Sequence, residues 1–166
     1  MATSPLQGQT VLVVEDDPAV LGVISAMLKQ TGFRVLQASG SSDALKLCKN
    51  HEGTIDLLVT DLVLPPPDFQ FASGENEFPY VHGHELAVRA LKMRKDLRIV
   101  LISGNIEKDL TGYGIRRGTL PFLEKPIQPP VLLNLVTQVL QSPPPTVESL
   151  VESSQSGPKD GDEWFD

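Results

Sequence analysis

Residues 11–20 have the sequence VLVVEDDPAV, and this stretch contains the end of a predicted strand and the start of a predicted helix. Its first four residues are branched and apolar, so together with Thr10 they predict a strand that is buried on both faces. Asp17 followed by Pro18 is typical of a helix cap and a first helical residue. Apolar residues then recur at helical spacing as far as Leu28, and Gly32 ends the pattern. Residues 10–32 therefore predict one strand–helix unit.

The same alternation of strand and helix continues along the chain to residue 141. Further strands are predicted at residues 33–38, 55–60, 97–102 and 120–123. Further helices are predicted at residues 41–50, 83–93, 106–116 and 129–140. Five such units predict an α/β fold, in which right-handed crossovers place helices on both faces of one parallel sheet. The folded unit is expected to span residues 9–141, after an N-terminal extension of residues 1–8.

Two segments depart from this alternation. The loop at residues 65–82 is unusually long and holds four of the nine aromatic residues, which are Phe69, Phe71, Phe78 and Tyr80. Long loops inside compact domains are often functional, and we expect this one to lie partly over the adjacent end of the sheet. Residues 142–166 begin with SPPP and are rich in serine, glycine and acids, so we expect a disordered tail.

The charge and hydropathy of the sequence argue against nucleic-acid binding and membrane insertion. The net charge is −7, of which residues 141–166 carry −5 and the rest of the chain −2. Without a basic stripe, direct binding to nucleic acid is not expected. No apolar run approaches the ~18 residues of a membrane span, and the first residues lack the features of a signal peptide. We therefore expect a cytoplasmic protein without a membrane partner, in which the single cysteine, Cys48, is a small buried residue.

Polar side chains follow four of the five predicted strands. Glu15 and Asp16 follow the first strand, Asp61 the third, Ser103 the fourth and Lys125 the fifth. In a parallel α/β sheet these positions meet at one edge, where such folds bind their ligands. Clustered carboxylates repel one another unless a cation joins them, and oxygen ligands suit Mg²⁺. An acidic magnesium site with a hydroxyl and a lysine is therefore predicted.

Four segments of the sequence resemble the signature segments of bacterial two-component response regulator receiver domains. They are VLVVEDDPAV at 11–20, LLVTDLVLP at 57–65, IVLISGN at 99–105 and FLEKPI at 122–127. The resemblance covers about residues 9–141, which would make this region the receiver domain. It implies a flavodoxin-like, doubly wound three-layer fold with the parallel strand order 2-1-3-4-5.

The resemblance also implies roles for the acidic residues. Asp61 matches the position of the phosphoacceptor. Asp16 would bind Mg²⁺ directly, and Glu15 would bind it through water. Asp61 and the backbone carbonyl of Val63 would complete the protein's metal ligands.

Three other residues match positions that contact or sense the phosphoryl group. Lys125 would pair with the phosphoryl oxygens, and Ser103 would donate a hydrogen bond to them. Phe122 falls at the position of the switch aromatic. By contrast, Asp17 is predicted to be only a helix cap. His82 and His84 have no third ligand nearby and are not predicted to bind metal.

The expected function is that of a phosphoacceptor that switches its partner-binding surface. The expected donor is a sensor histidine kinase or a histidine phosphotransfer protein, and the expected target is a downstream protein. Such a domain catalyses its own phosphorylation and slow dephosphorylation and is not a turnover enzyme. It could stand alone or be the receiver portion of a hybrid histidine kinase. The alternative is a pseudo-receiver that binds partners without being phosphorylated. A haloacid dehalogenase is disfavoured because its motif needs an aspartate where this chain has Val63.

Overall fold

The computed structural model describes residues 8–65, 78–115 and 120–151. Strands and helices alternate along these residues in five strand–helix units. The strands are β1 Thr10–Val14, β2 Arg34–Ala38, β3 Leu57–Asp61, β4 Arg98–Ser103 and β5 Phe122–Glu124. The helices are α1 Pro18–Gln30, α2 Ser41–Asn50, α3 Gly83–Met93, α4 Ile106–Tyr113 and α5 Pro129–Leu140. Within the described ranges, no helix combines the length and apolar character needed to cross a membrane.

The five strands form one parallel sheet in the order β2-β1-β3-β4-β5, as predicted. Every residue of the central strands β1 and β3 is buried, because each has a strand on both sides and helices above and below. This burial explains their continuous apolar sequences. The flavodoxin-like fold class is confirmed.

Two element boundaries differ from the predictions in ways that affect the site. β3 extends to Asp61, which pairs with Ile102 of β4, so this aspartate belongs to the strand itself. α4 ends at Tyr113, short of the predicted residue 116, because Gly114 caps it in the left-handed conformation with φ of 66°. The predicted cap of α1 is confirmed, since Asp17 Oδ1 accepts a hydrogen bond of 2.9 Å from the Ala19 N–H.

The sheet separates two apolar clusters. Alternate strand residues face opposite sides, so Leu12 and Val14 lie in the cluster under α2, α3 and α4, whereas Val11 and Val13 lie in the cluster under α1 and α5. We call these the α3-side core and the α5-side core. Cys48 is buried in the α3-side core, and burial raises the pKa of its thiol to about 11. The cysteine is therefore a neutral packing residue, as predicted.

The segment after α5 corrects the prediction of a disordered tail from residue 142. Residues 147–151 are helical, and Leu150 is fully buried in the α3-side core. The chain reaches this position past the start of β4, where Arg98 Nε donates a 2.8 Å hydrogen bond to the carbonyl oxygen of Ser142. Val147 and Val151 pack against the same core, so the apolar residues of this segment have helical spacing, but five residues are too short a run for that spacing to predict a helix. Residues 152–166 lie outside the described residues.

Replacing Leu150 by alanine tests whether this segment belongs to the folded unit. We expect Leu150→Ala to lower the free energy of unfolding by about 2–4 kcal/mol, since it removes a fully buried side chain. Urea denaturation at neutral pH measures the loss. The control is Val23→Ala in α1, where the valine is 52% exposed and the expected change is about 0.5 kcal/mol or less. Equal effects of the two substitutions would contradict the packing of Leu150.

Candidate functional site

Three carboxylates meet at the carboxyl end of the sheet. Glu15 and Asp16 follow β1, and Asp61 ends the neighbouring strand β3. One oxygen from each side chain lies within 4.8 Å of the other two. Glu15 and Asp61 are buried, whereas Asp16 is exposed. The structure thus brings together the three side chains that were predicted to bind a metal.

Lys125 joins this cluster from the end of β5. Its Nζ atom lies 2.7 Å from Glu15 Oε1 and donates a hydrogen bond of 2.8 Å to Asp61 Oδ2. The Lys125 N–H donates to the carbonyl oxygen of Ser103 at 2.9 Å, which fixes the lysine backbone beside β4. The ammonium is therefore shared between the two buried carboxylates.

Backbone N–H groups hold the other oxygen of each buried carboxylate. The N–H of Asp17 donates to Glu15 Oε2 at 3.0 Å, and the N–H of Val63 donates to Asp61 Oδ1 at 3.2 Å. Both side chains are thereby oriented by the turns that follow their own strands. Hydrogen bonds within each local turn thus position these carboxylates, whereas Lys125 contacts them only because the fold brings β5 to the same end of the sheet.

The charges of the cluster perturb the ionisation of two exposed or half-buried groups. Burial alone would lower the pKa of Lys125, but hydrogen bonds and negative charge from Asp61 and Glu15 outweigh burial and raise it. The pKa of Asp16 is also raised, first by partial burial and then by its hydrogen bond to Glu15 and the repulsion between the two carboxyls. Lys125 is therefore charged at neutral pH, but its single positive charge does not balance the negative charge of the clustered carboxylates.

The donor set fits a hard divalent cation. Three carboxylates share one ammonium, so the cluster carries a net charge of −2 when all four groups are ionised. Among the described residues, the buried Glu15 Oε1 has the Lys125 ammonium 2.7 Å away but no partner with hydrogen-bond geometry. Excess negative charge on closely spaced oxygen ligands is what Mg²⁺ sites require. Glu15, Asp16 and Asp61 could hold such an ion, and the carbonyl of Val63 stays a predicted ligand.

Ser103, the last residue of β4, is fully buried next to the cluster. Its hydroxyl accepts a hydrogen bond of 3.0 Å from the Asn105 N–H and donates one of 2.5 Å to Asp109 Oδ2. Asp109 lies in the first turn of α4, whose N-terminus is capped by Asn105. Sequence reasoning missed Asp109, because an acid in the first turn of a helix is common and carries no specific signal.

Phe122, the predicted switch aromatic, is half-buried at the start of β5 and packs against the α3-side core. It pairs in register with Leu101 of β4. The structure therefore places it two strands away from Asp61, with β4 between them, and against the core that α2, α3 and α4 cover. Its role as a switch stays a prediction.

The long loop after β3 is closed at its two ends by side-chain to backbone contacts. The hydroxyl of Tyr80 donates to the carbonyl oxygen of Leu64, and the Leu64 N–H donates to His82 Nδ1 at 3.1 Å. The His82 ring also packs edge-on against Tyr113 of α4, with ring centroids 4.9 Å apart. Burial lowers the pKa of His82, which favours the neutral ring that this acceptor role needs. His82 therefore has a structural role.

The predicted placement of the loop aromatics can be compared for two of the four. Phe78 and Tyr80 are half-buried and pack against the α3-side core. Phe69 and Phe71 lie outside the described residues. His84, the second histidine of the pair, is buried in α3, and burial lowers its pKa as well.

Gly83, the first residue of α3, lies against the end of β3. Its N–H donates to the carbonyl oxygen of Leu62 at 2.9 Å. A Cβ atom at this position would lie 2.1 Å from the backbone oxygen of Asp61 and 2.9 Å from the Cα of Leu62. Only glycine allows α3 to approach so close to the strand end that carries Asp61. Sequence reasoning placed the start of α3 here but did not identify this requirement.

Similarity to known proteins decides the family. The family model of the response regulator receiver domain matches residues 11–68. The crystal structure of the receiver domain from the hybrid histidine kinase CckA is 30% identical, has a TM-score of 0.60, and aligns over 80% of this chain and 99% of that domain. The chain belongs to the response regulator receiver family. The receiver is also similar to the response regulator receiver protein of Sinorhizobium medicae WSM419, at 26% identity and a TM-score of 0.64, covering 82% of this chain and 98% of that one.

The receiver is much shorter than its full-length relatives. Two-component response regulator ORR22 of Oryza sativa subsp. indica is 27% identical over 134 residues, which are 81% of this chain and 17% of that protein. The chain thus spans about a sixth of the length of this curated relative.

Proposed function

We propose that the receiver accepts a phosphoryl group on Asp61 from a phosphohistidine of a sensor histidine kinase or a histidine phosphotransfer protein. One observation carries this proposal. The buried Asp61 carboxylate receives a 2.8 Å hydrogen bond from the Lys125 ammonium, and two further carboxylates that suit Mg²⁺ lie beside it. A nucleophile flanked by positive charge is the arrangement that phosphoryl transfer needs.

In the proposed transfer, an oxygen of Asp61 attacks the phosphorus of the phosphohistidine. A P–O bond forms while the P–N bond breaks, and the histidine nitrogen leaves with the electron pair of that bond. Lys125 neutralises charge on the transferring oxygens. A bound Mg²⁺ would supply a second positive charge, held by Glu15, Asp16 and Asp61. Because the product stays on its own side chain until hydrolysis, the protein is not a turnover enzyme.

The signal would then leave the receiver through a change in its protein-binding surface. We propose that Ser103 donates a hydrogen bond to the phosphoryl group and that Phe122 changes position with it. Ser103 contacts α4 through Asp109, and Phe122 packs against the core that α4 helps to cover, so the surface of α4 and β5 would change for a downstream protein partner. A local charge that biases a two-state element is the general form of such switches.

Labelling with a small-molecule phosphodonor tests the proposal. Incubation with acetyl phosphate and Mg²⁺ is expected to add one phosphoryl group per chain as an acyl phosphate, which is lost in base. Chelation with EDTA is expected to stop the reaction. A pseudo-receiver that acts only as an adaptor would show no labelling under any of these conditions, although no described residue at the site favours that alternative.

Asp16→Asn provides a separate test of the metal site. Since the pKa of Asp16 is raised in the folded protein, its ionisation at neutral pH costs stability, and asparagine removes that cost. Without metal, we expect this variant to have a higher melting temperature than wild type. The difference in melting temperature is expected to narrow as the pH falls through the raised pKa, because Asp16 of the wild type then becomes neutral. At free Mg²⁺ about tenfold above its Kd, wild type is expected to gain about 1.4 kcal/mol, and the variant to gain much less.

The matched control is Asp17→Asn, one residue further along the chain. Asp17 caps α1, and asparagine caps helices equally well. This variant is expected to keep the full stabilisation by Mg²⁺ in thermal melts. If Mg²⁺ stabilised Asp16→Asn as fully as it stabilises wild type, Asp16 would not be a metal ligand.

A further inference from the structure

The Ser103 hydroxyl is committed to a partner on α4. A serine hydroxyl has one proton to donate, and in this structure the proton goes to Asp109 Oδ2 at 2.5 Å. The hydroxyl oxygen in turn accepts from the Asn105 N–H at 3.0 Å. Hydrogen bonds from a hydroxyl to a carboxylate are among the stronger ones in proteins. Ser103 is also fully buried, so water does not compete for this proton.

A phosphoryl group on Asp61 would require the same proton. Its oxygens accept hydrogen bonds and have no proton of their own to offer when fully ionised. Ser103 can therefore donate to Asp109 or to the phosphoryl group, but not to both. The two acceptors compete for one donor.

We propose that Asp109 is a positioning residue that holds the Ser103 hydroxyl on α4 in the unphosphorylated receiver and so opposes activation. This inference rests on the proposed phosphorylation of Asp61. Phosphorylation would then have to break the bond between Ser103 and Asp109 before Ser103 could turn to the phosphoryl group. The strength of that bond would set how readily the receiver enters its active state.

The place of Asp109 links this event to the partner-binding surface. It lies in the first turn of α4, next to Leu110, which is buried in the α3-side core. Ile106, at the start of α4, and Phe122 pack against the same core. Loss of the bond to Ser103 would release the first turn of α4 from the end of β4. The switch aromatic and the released turn are thus in contact with one core.

Beryllofluoride, which mimics a phosphoryl group on aspartate, tests this inference in the full chain. With saturating Mg²⁺, its apparent affinity can be measured by ¹⁹F NMR for wild type, Asp109→Ala and Asp109→Asn. Release of the hydroxyl is expected to tighten binding by about tenfold in Asp109→Ala, the equivalent of one strong hydrogen bond. Asp109→Asn keeps an uncharged acceptor, so its affinity for beryllofluoride is expected to lie between those of wild type and Asp109→Ala. Asp43→Ala, an exposed acid in the first turn of α2, is the control and is expected to bind as wild type does.

A double-mutant comparison separates the hydrogen bond from a general effect of charge. In a Ser103→Ala background, Asp109→Ala is expected to change the affinity for beryllofluoride by less than about twofold, since the bond is already absent. An undiminished effect in that background would overturn the inference in favour of simple repulsion. Affinity of Asp109→Ala equal to or weaker than wild type would also overturn it. If wild type itself did not bind beryllofluoride, the proposed function would fail instead, so the two failures are distinguishable.

Discussion

Asp61→Asn is expected to abolish phosphorylation of the receiver by acetyl phosphate and by a phosphorylated histidine kinase. The amide removes the nucleophilic oxygen and one negative charge beside the metal ligands, while its size is nearly unchanged. A neutral side chain also relieves repulsion among the three clustered carboxyls, so the variant is expected to fold. Radiolabelled phosphate retained on the protein after acid precipitation measures the effect.

Asp17→Asn is the matched control for this loss. It makes the same chemical change at the same end of the sheet, on a residue that caps α1 and donates its N–H to Glu15. The control is expected to be labelled at nearly the rate of wild type. If Asp61→Asn retained comparable labelling, another residue would have to be the acceptor.

Gly83→Ala is expected to have the largest effect on stability. The added Cβ would lie 2.1 Å from the backbone oxygen of Asp61, so either α3 or the end of β3 must move. Overpacking costs about 1–3 kcal/mol and occasionally more, and a 2.1 Å contact with backbone favours the upper end, because the atoms that must move belong to the strand end that carries the acceptor. We expect a large loss in the free energy of unfolding in urea, together with slower labelling by acetyl phosphate.

The control for this substitution is Gly22→Ala in α1. Nothing lies within 4 Å of a Cβ at Gly22, and alanine in a helix interior is favoured over glycine by about 1 kcal/mol. This variant is expected to be slightly more stable than wild type. A Gly83→Ala protein as stable as wild type would show that α3 does not approach Asp61 as closely as described.

Much of the fold and of the acidic cluster could be predicted, because local rules govern both. Central parallel strands need continuous apolar residues, so β1 and β3 are visible in the sequence. Their carboxyl ends must lie at the same edge of the sheet, and the strand order implied by the resemblance places β1 beside β3, which brings Glu15 and Asp61 together. The resemblance to receiver domains then added roles for these residues and for Lys125.

The remaining features depend on individual side-chain contacts that no local pattern specifies. Asp109 accepts a hydrogen bond from Ser103, six residues earlier, where α4 follows the end of β4, and Leu150 is buried where the last described segment packs against the α3-side core. The need for glycine at position 83 arises from the backbone of β3, twenty or so residues earlier in the chain. Composition does not report such contacts, and the helical spacing of Val147, Leu150 and Val151 covers too few residues to show where that segment packs.

Mapping the phosphorylated residue tests the proposed role of Asp61. Wild-type protein should be treated with acetyl phosphate and Mg²⁺, reduced with borohydride to convert the acyl phosphate at the acceptor to a stable alcohol, and digested for mass spectrometry. We expect one modified residue, Asp61, in samples with Mg²⁺, and no modification in samples with EDTA. Modification of a different residue, or no modification in protein that binds Mg²⁺, would contradict the assignment of Asp61 as the phosphoacceptor.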